Sequence, residues 1–388
     1  MTAAGMSPAG AQSVRRHNLG LLARAVAAAP GSRAELAQRT GLTKATVSSL
    51  VDSLLAAGLL VEGEPSGSRP GRPARPVSLN PAGPAAVGLE VNVDYLAGCL
   101  LDPTGAVRGQ LRVPGDNRGL DADRVVDGLA ELYAGLVPAG RAPLGVALAV
   151  PAVVGPAGRL DRVPNLPRLA GQPLAELLGQ RLHTGPVLQD NEANLGALGW
   201  LRAAASDDCP VRDFVYVSGE IGVGAGLVVG GVLFRGASGH AGELGHVVVE
   251  RTGPPCGCGG RGCVEQYAGQ EVLLRAAGQP DLAGLAAAAA AGDDRTRTAL
   301  AAAGTALGVG LASLLNVVDL PAVVLGGSYA ELFGLITPAL RAELDRRVVA
   351  GTPVRVLRSE LAGTAAVLGA AGTVLDRALA DPASIAES

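Results

Sequence analysis

The chain has 388 residues, a formal charge of −3, and 48% hydrophobic and 17% charged residues, enough for two or three domains with sizeable cores. Five cysteines in this length exclude a disulfide framework, and the segment up to Asn18 lacks the apolar stretch of a signal peptide, so a cytoplasmic protein is expected. The charge is uneven: residues 1–80 hold nine Lys or Arg against four Asp or Glu, a balance of +5 that leaves −8 for the rest, as in a nucleic-acid module on an acidic body.

The first 80 residues read as a helical DNA-binding unit. Ser13 is placed to cap a helix running through Leu19, Leu22 and Val26 to Gly31, and Ser32-Arg33-Ala34-Glu35 has capping-box spacing for a second helix ending near Gly41. Thr43 is placed to cap a third, whose Val47, Leu50, Val51, Leu54 and Leu55 form one apolar stripe stopped by Gly58. Two short helices joined by a tight turn form the helix-turn-helix arrangement. Ser32, Thr43, Lys44, Thr46, Ser48 and Ser49 are the candidate DNA contacts on it. Leu59–Glu62 and Val77–Leu79 can pair as strands about a Pro- and Gly-rich wing over 62–76, whose Arg69, Arg72 and Arg75 can reach phosphates or a minor groove. The alternative is an ordinary three-helix bundle with a solvated arginine linker.

From Pro81 the pattern becomes strand-rich. Ala86–Val91, Leu96–Leu101 and Val107–Val113 form a β-meander with a turn at Asp102–Gly105, followed by a helix at about Asp121–Val137 and a strand at Leu144–Val150. The order returns with Phe214–Ser218, Gly224–Val229 and Val232–Arg235, then a helix at about Arg295–Val318 and a strand at Ala322–Leu325. Two meanders each followed by α/β elements read as a duplication, and duplicated halves commonly enclose a cleft. The most apolar run, Ala306 to Gly327, is broken by Asn316, Asp319 and Pro321; it reads as buried helix, turn and strand, with no membrane association. Cys99 reads as a core residue, and Cys209 sits in a polar loop.

Between the second meander and the long helix, His246 precedes Cys256, Cys258 and Cys263 in a C-x-C-x4-C run. Four such ligands can close a tetrahedral zinc shell, with no open position for catalysis; the alternatives are free thiols or a disulfide. Glu243 and Glu265 flank the run, and a metal that folds the loop would bring both carboxylates together.

The segments VSGEIGVGAGLVVGGVLFRGASGHAGELGH and CGCGGRGCVEQY, with GRPARPVSLNP near residue 75, resemble the ROK family of sugar kinases and sugar-responsive repressors, in particular its transcriptional-regulator branch. The resemblance covers about residues 13–375. It implies an α/β actin-like, hexokinase-type fold of two lobes with a sugar in the cleft, preceded by an all-α, winged helix-turn-helix domain. The expected division is 1–80 for the DNA-binding domain and 81–388 for the body. In the body, 81–190 with a C-terminal helix at about 364–388 forms the first lobe, and 191–363 forms the second with the zinc loop. The family's zinc ligands match His246, Cys256, Cys258 and Cys263, one structural Zn2+ per chain. Its sugar contacts match Asn191, Glu243, His246 and Glu265, with Glu192 beside them.

A kinase of this family uses the aspartate of an N-D-A-N segment as base, where this chain reads Asn191-Glu192-Ala193-Asn194. Its first phosphate turn, D-x-G-x-T, reads Glu90-Val91-Asn92-Val93-Asp94. The glycine is lost and an acid replaces the threonine, while Gly222–Gly226 and Gly326-Gly327 are kept. The expectation is a non-enzyme: a sugar-responsive regulator, most simply a repressor, whose partners are double-stranded operator DNA, a small sugar effector and further copies of itself in a dimer or tetramer. The alternatives are an ATP-dependent sugar kinase with an extra N-terminal domain and a sugar-binding protein that does not bind DNA.

Overall fold

The computed structural model describes residues 10–64, 75–155, 158–204, 211–349, 351 and 353–383. Arg69, Arg72 and Cys209 lie outside the described residues. Helix α1 (Ala11–Ala28) starts after Gly10, so Ser13 is not its cap but lies inside the first turn. It stops short of Gly31 because Gly31 leaves to pair with Val77, through bonds of 3.1 and 2.8 Å. The capping box forms at α2 (Arg33–Thr40), where Ser32 accepts from the Glu35 amide and Glu35 accepts from the Ser32 amide; Gly41 ends the helix with φ +72°. Thr43 caps α3 (Lys44–Ala56), which buries Val47, Leu50, Val51 and Leu54, leaving Leu55 partly exposed. Strands β1 (Leu60–Glu62) and β2 (Val77–Leu79) pair antiparallel, and Gly63 donating to Pro76 O (2.8 Å) extends the ladder toward the wing.

The body contains two five-stranded sheets of one topology. In the first, β3 (Ala86–Val91), β4 (Tyr95–Leu101) and β5 (Val107–Pro114) form the expected meander, with Gly105 at φ +87° in its turn. Helix α4 (Ala122–Leu136), capped by Asp121, leads to β6 (Gly145–Val150). A small hairpin, β7 (Val153–Val154) and β8 (Leu160–Arg162), and α5 (Leu174–Leu182) precede β9 (Leu188–Asn191), giving the order β5-β4-β3-β6-β9. Helix α6 (Glu192–Ala204) follows without a break.

The second sheet repeats the scheme with β10 (Phe214–Ser218), β11 (Gly224–Val229) and β12 (Val232–Phe234). Helices α7 (Glu265–Ala268), α8 (Gln270–Ala277), α9 (Leu282–Ala291) and α10 (Asp294–Val318) follow. The chain continues through β13 (Ala322–Gly326), α11 (Ser328–Glu331), α12 (Phe333–Arg347) and β14 (Arg355–Arg358), for the order β12-β11-β10-β13-β14. In each sheet two antiparallel pairings are followed by two parallel ones, so the duplication is present in the fold. By length and composition α10 could cross a membrane, but half of its most apolar window is buried in the protein, and it packs on α12 and α8.

The last helix, α13 (Ala365–Ala380), lies on β3, β4 and β6, while α6 packs on β10 and β11 of the other sheet; the two helices pack on each other. Their backbones touch. A Cβ on Gly199 would overlap the Ala365 carbonyl, and one on Gly369 would overlap the Leu195 carbonyl. At its far end α13 meets α1: a Cβ on Gly20 would overlap the Ala380 carbonyl, and Arg16 pairs with Asp381. Leu22 and Val26 of α1 therefore share one apolar core with Leu375 and Leu379. Gly369→Ala should lower the denaturant-unfolding free energy by about 1–3 kcal/mol, because a methyl must be forced into packed backbone. Gly334→Ala, in an exposed turn of α12 with nothing within 4 Å, should be neutral or stabilising. Equal effects at the two sites would refute the close contact.

Candidate functional site

Glycines set the cysteine loop. Gly242 (φ +102°) and Gly245 run so close under β11 that a Cβ on either would overlap the carbonyls of Ala225 and Val223. This fixes the single 3-10 turn Leu244–His246 that presents His246. The cysteines sit on a short irregular hairpin, with bridges Val248–Cys263 and Pro255–Arg261. One ligand atom from each of His246, Cys256, Cys258 and Cys263 can be chosen so that all lie within 4.8 Å of one another. The Cys258 and Cys263 sulfurs are 3.7 Å apart, as are Cys256 Sγ and His246 Nδ1. A tetrahedron with zinc–sulfur bonds of about 2.3 Å has edges of about 3.8 Å, so the residues fit such an ion.

His246 divides its two nitrogens. Nδ1 faces the cysteines, whereas Nε2 is 3.8 Å from Glu243 Oε2. Glu265, the first residue of α7, has Oε1 3.3 Å from Cys256 Sγ and 3.9 Å from His246 Nδ1. Its other oxygen faces the Gly222 turn, where a Cβ would lie 3.0 Å from Glu265 Oε2 and 3.9 Å from Asn165 Nδ2. Two residues on, a Cβ on Gly224 would lie 3.2 Å from Glu192 Oε1. The turn Gly222–Gly224 thus lies between Glu265 and Glu192, and the two glycines leave space beside each carboxylate.

Asn191 and Glu192 stand where β9 becomes α6. Asn191 Oδ1 accepts from the amides of Ala193 (2.9 Å) and Asn194 (3.2 Å), capping α6, while its Nδ2 donates to Glu192 Oε2 (2.9 Å). Asp190 does not enter the cleft as a base; it pairs with Arg235 and accepts from Asn194 Nδ2. Burial, with the charges of Glu90, Glu220 and Glu243, pushes Glu192 up to about 8.

The degraded phosphate turn closes on itself. Glu90 is buried, and its Oε1 accepts from Tyr95 Oη (2.7 Å); Asn92 Oδ1 accepts from Val93 N, and Asn117 Nδ2 donates to Asn92 O (2.6 Å). Glu220, which follows β10, projects to the Gly326-Gly327 turn, where a Cβ on Gly327 would be 2.6 Å from its Oε1. Burial raises Glu90 to about 7, and burial with the charge of Glu90 does the same for Glu220. Glu220 and Asn165 escaped the sequence reading; the one available signal was Ser218-Gly219-Glu220 leading into the glycine turn.

In the N-terminal domain Lys44 and Ser49 are exposed on α3, Thr46 and Ser48 partly so, and Arg75 is exposed at the base of the wing. Ser32 and Thr43 serve as helix caps. Thr46 and Ser49 line a groove of about 360 Å³ with Arg15 and Asn18 of α1, two residues the sequence did not single out. Arg33 braces the unit by pairing with Asp52 and Glu62.

A model of the ROK family matches residues 86–377. The chain belongs to the ROK family. A MarR family model matches residues 20–69, which cover the helix-turn-helix. The chain is 32% identical over 368 residues to the xylose repressor of Bacillus subtilis (strain 168), covering 90% of this chain and 92% of that protein. It is 30% identical over 292 residues to N-acetylmannosamine kinase of Escherichia coli O157:H7, covering 74% and 96%. A solved ROK family transcriptional regulator, described as a homologue of the E. coli MLC protein, superposes with a TM-score of 0.78 over 97% of this chain and 100% of that one, at 23% identity. A ROK family glucokinase from Streptomyces griseus, solved with glucose and AMPPNP, gives 0.65 over 74% and 98%, at 27% identity. The fold is the expected one: a winged helix-turn-helix domain ahead of an actin-like ROK body.

Three acids between the sheets, Glu90 buried and Glu192 and Glu220 part-buried, carry a pH signature. Glu90, Glu192 and Glu220 hold protons more tightly folded than unfolded, so folding takes up protons between about 4.5 and their raised values. The thermal midpoint should fall as pH rises from about 5.5 to 8.5, in buffer without added divalent ions. Glu192→Gln should flatten that slope and raise the midpoint at the upper end. A wild-type midpoint flat across this window would contradict the raised proton affinity of these acids.

Proposed function

We propose that this chain is a sugar-responsive transcriptional repressor of carbohydrate-utilisation genes. The observation that carries the reading is the likeness to the xylose repressor of Bacillus subtilis, which runs through both the helix-turn-helix and the body. A kinase reading rests on the body alone, since the match to N-acetylmannosamine kinase covers 74% of the chain. Glu192, at the position of the kinase base, is pushed up to about 8, so at neutral pH it is mostly protonated and a poor base. Its longer side chain also displaces the carboxyl from the position an aspartate would take. Glu220 and Glu90 would repel a nucleotide phosphate. These features support a body that binds sugar without phosphorylating it.

In this reading residues 1–80 read the operator, with Lys44, Thr46, Ser48 and Ser49 of α3 at the major groove, Ser32 and Thr43 at helix N-termini near phosphate, and Arg69, Arg72 and Arg75 on the wing. Residues 81–388 form the sugar-binding body; 81–190 with the C-terminal helix make one lobe and 191–363 the other. Asn191, Glu192, Glu243, His246 and Glu265 accept or donate hydrogen bonds to sugar hydroxyls. Zinc, held by His246 Nδ1 and the thiolates of Cys256, Cys258 and Cys263, is structural; when bound it fixes the imidazole so that Nε2 and Glu243 face the sugar. A two-fold operator calls for at least a dimer, and a DNA reader of this kind works in the cytoplasm. Sugar draws the lobes together, moves α6 and α13, and so changes how the N-terminal domains are held.

Coupling of this kind is reciprocal. Xylose is the first sugar to try, because the aligned repressor is named for it. Titrated with and without operator DNA, the effective sugar should show affinities differing by the same factor by which it weakens the retarded DNA complex; equal affinities would remove the coupling. Sugar-dependent ATP turnover at or above about 1 per second would instead establish the kinase. Cys258→Ser should lower zinc from about one per chain to near zero and weaken sugar binding about 10-fold or more. Undiminished zinc in that variant would contradict the ligand assignment.

A further inference from the structure

Helices α1 and α3 leave a groove of about 360 Å³ between them, lined by Val14, Arg15, Asn18, Thr46, Ser49 and Leu50. Arg15 and Asn18 stand three apart on α1, as Thr46 and Ser49 do on α3, so each pair shares one helix face. No acid lines the groove, and its one charged residue is Arg15. Other arginines of the domain are engaged elsewhere. Arg16 pairs with Asp381, Arg33 with Asp52 and Glu62, and Arg39 donates to the carbonyls of Ala25, Ala29 and Pro30. Arg15 instead donates from Nη2 to Ser53 Oγ (2.7 Å), one turn of α3 beyond Ser49. That bond holds the exposed guanidinium toward α3 while using one of its N–H groups and none of its charge.

We propose that this groove seats one strand of the DNA backbone, with Arg15 paired to a phosphate and Asn18 donating to a phosphate oxygen beside it. The inference rests on the reading of α3 as the helix that enters the major groove, and it adds α1 to the DNA-contacting surface. A helix in the major groove has a backbone strand on either side, and contacts to phosphate fix its register. The groove runs along the side of α3 that carries Thr46 and Ser49, whose hydroxyls are further donors for phosphate oxygens. One unpaired cation, three neutral polar side chains and no acid match a uniformly anionic strand better than a second copy of this acidic chain. Arg15 and Asn18 precede residues 20–69, where the MarR model matches, so the packing of α1 on α3 is what assigns them. The same helix touches the body through Arg16 and Gly20, which places the phosphate contact and the contact with α13 on one rigid element.

The test uses the full-length protein and a short labelled duplex of arbitrary sequence, because phosphate contacts do not depend on sequence. Affinity is followed by fluorescence anisotropy between about 50 and 200 mM KCl. Arg15→Gln should bind about 3- to 10-fold more weakly at the low-salt end, and its plot of log affinity against log salt should be shallower by about 0.9. Arg15→Lys keeps the charge and should keep the slope. Asn18→Ala should lose about 2- to 10-fold in affinity with the slope unchanged. Arg24→Gln removes the same charge about 180° round α1 from Arg15 and should match the wild type. These side chains lie at or near the surface, so the variants' thermal midpoints should agree with the wild type's to about 2 °C. A wild-type slope in Arg15→Gln, or equal losses in Arg15→Gln and Arg24→Gln, would overturn the site and leave the repressor reading standing, since the wild type still binds. An Arg15→Gln that changes its oligomeric state in sedimentation but keeps the slope would give the groove to a second copy and also overturn the site. A wild type that binds no duplex at about 50 mM salt would remove the DNA-binding reading itself.

Discussion

The backbone contact between α6 and α13 is the constraint on which the rest of the molecule depends. Glycines at 199 and 369 let each helix press on the other's carbonyls, so no side chain lies between them to absorb a displacement by changing rotamer. Helix α6 starts at Asn191 and Glu192 in the cleft, and α13 ends against α1 beside the helix-turn-helix. One rigid pair therefore spans the distance from the cleft to the N-terminal domain, with a sheet on either side. The shared core of α1 and α13 makes the N-terminal domain an extension of the body, packed on it and not merely tethered to it.

Around this pair the protein handles two sets of costly polar groups in different ways. In the loop, thiols and an imidazole are gathered at spacings that one tetrahedral ion would satisfy, and flanking glycines let the backbone run close against its neighbours. Between the sheets, carboxylates are enclosed with few donors, and burial raises their affinity for protons. The first arrangement places His246 beside Glu243 and Glu265. The second gathers Glu90, Glu192 and Glu220 around one small pocket between the sheets.

Much of this was legible in the chain, unevenly. The capping box at Ser32 and Glu35, the Thr43 cap, the meander strands and the cysteine loop were read from neighbouring residues and formed as expected. No secondary structure was assigned to residues 151–213, although they supply β9 and α6. Leu188–Asn191 is too polar to look like a strand, and Gly196 and Gly199 look like breakers in a helix whose glycines are its packing face. Ser13 was misplaced as a cap because Gly10, without a side-chain oxygen, opens the helix instead. Glu220 was passed over because its one local mark is its place before the glycine turn; its partners lie in β3, α6 and the turn after β13.

The amino-acid sequence by itself determined the elements whose causes are local: helix caps, period-two strands, the duplicated meander, the ligand spacing of His246 with the three cysteines, and the loss of the phosphate-turn glycine. Apart from the repeat of the meander, each depends on residues within about twenty positions of one another, where propensity and spacing act directly. Only the tertiary structure decided that Glu90, Glu192 and Glu220 share one pocket, that His246 turns one nitrogen to the cysteines and the other toward Glu243, and that the final helix joins the cleft to the DNA-reading domain. The shared pocket and the contact of the final helix with the N-terminal domain join residues more than a hundred positions apart. They are set by which surfaces fit when the two sheets close on α6 and α13, and no local pattern records that fit.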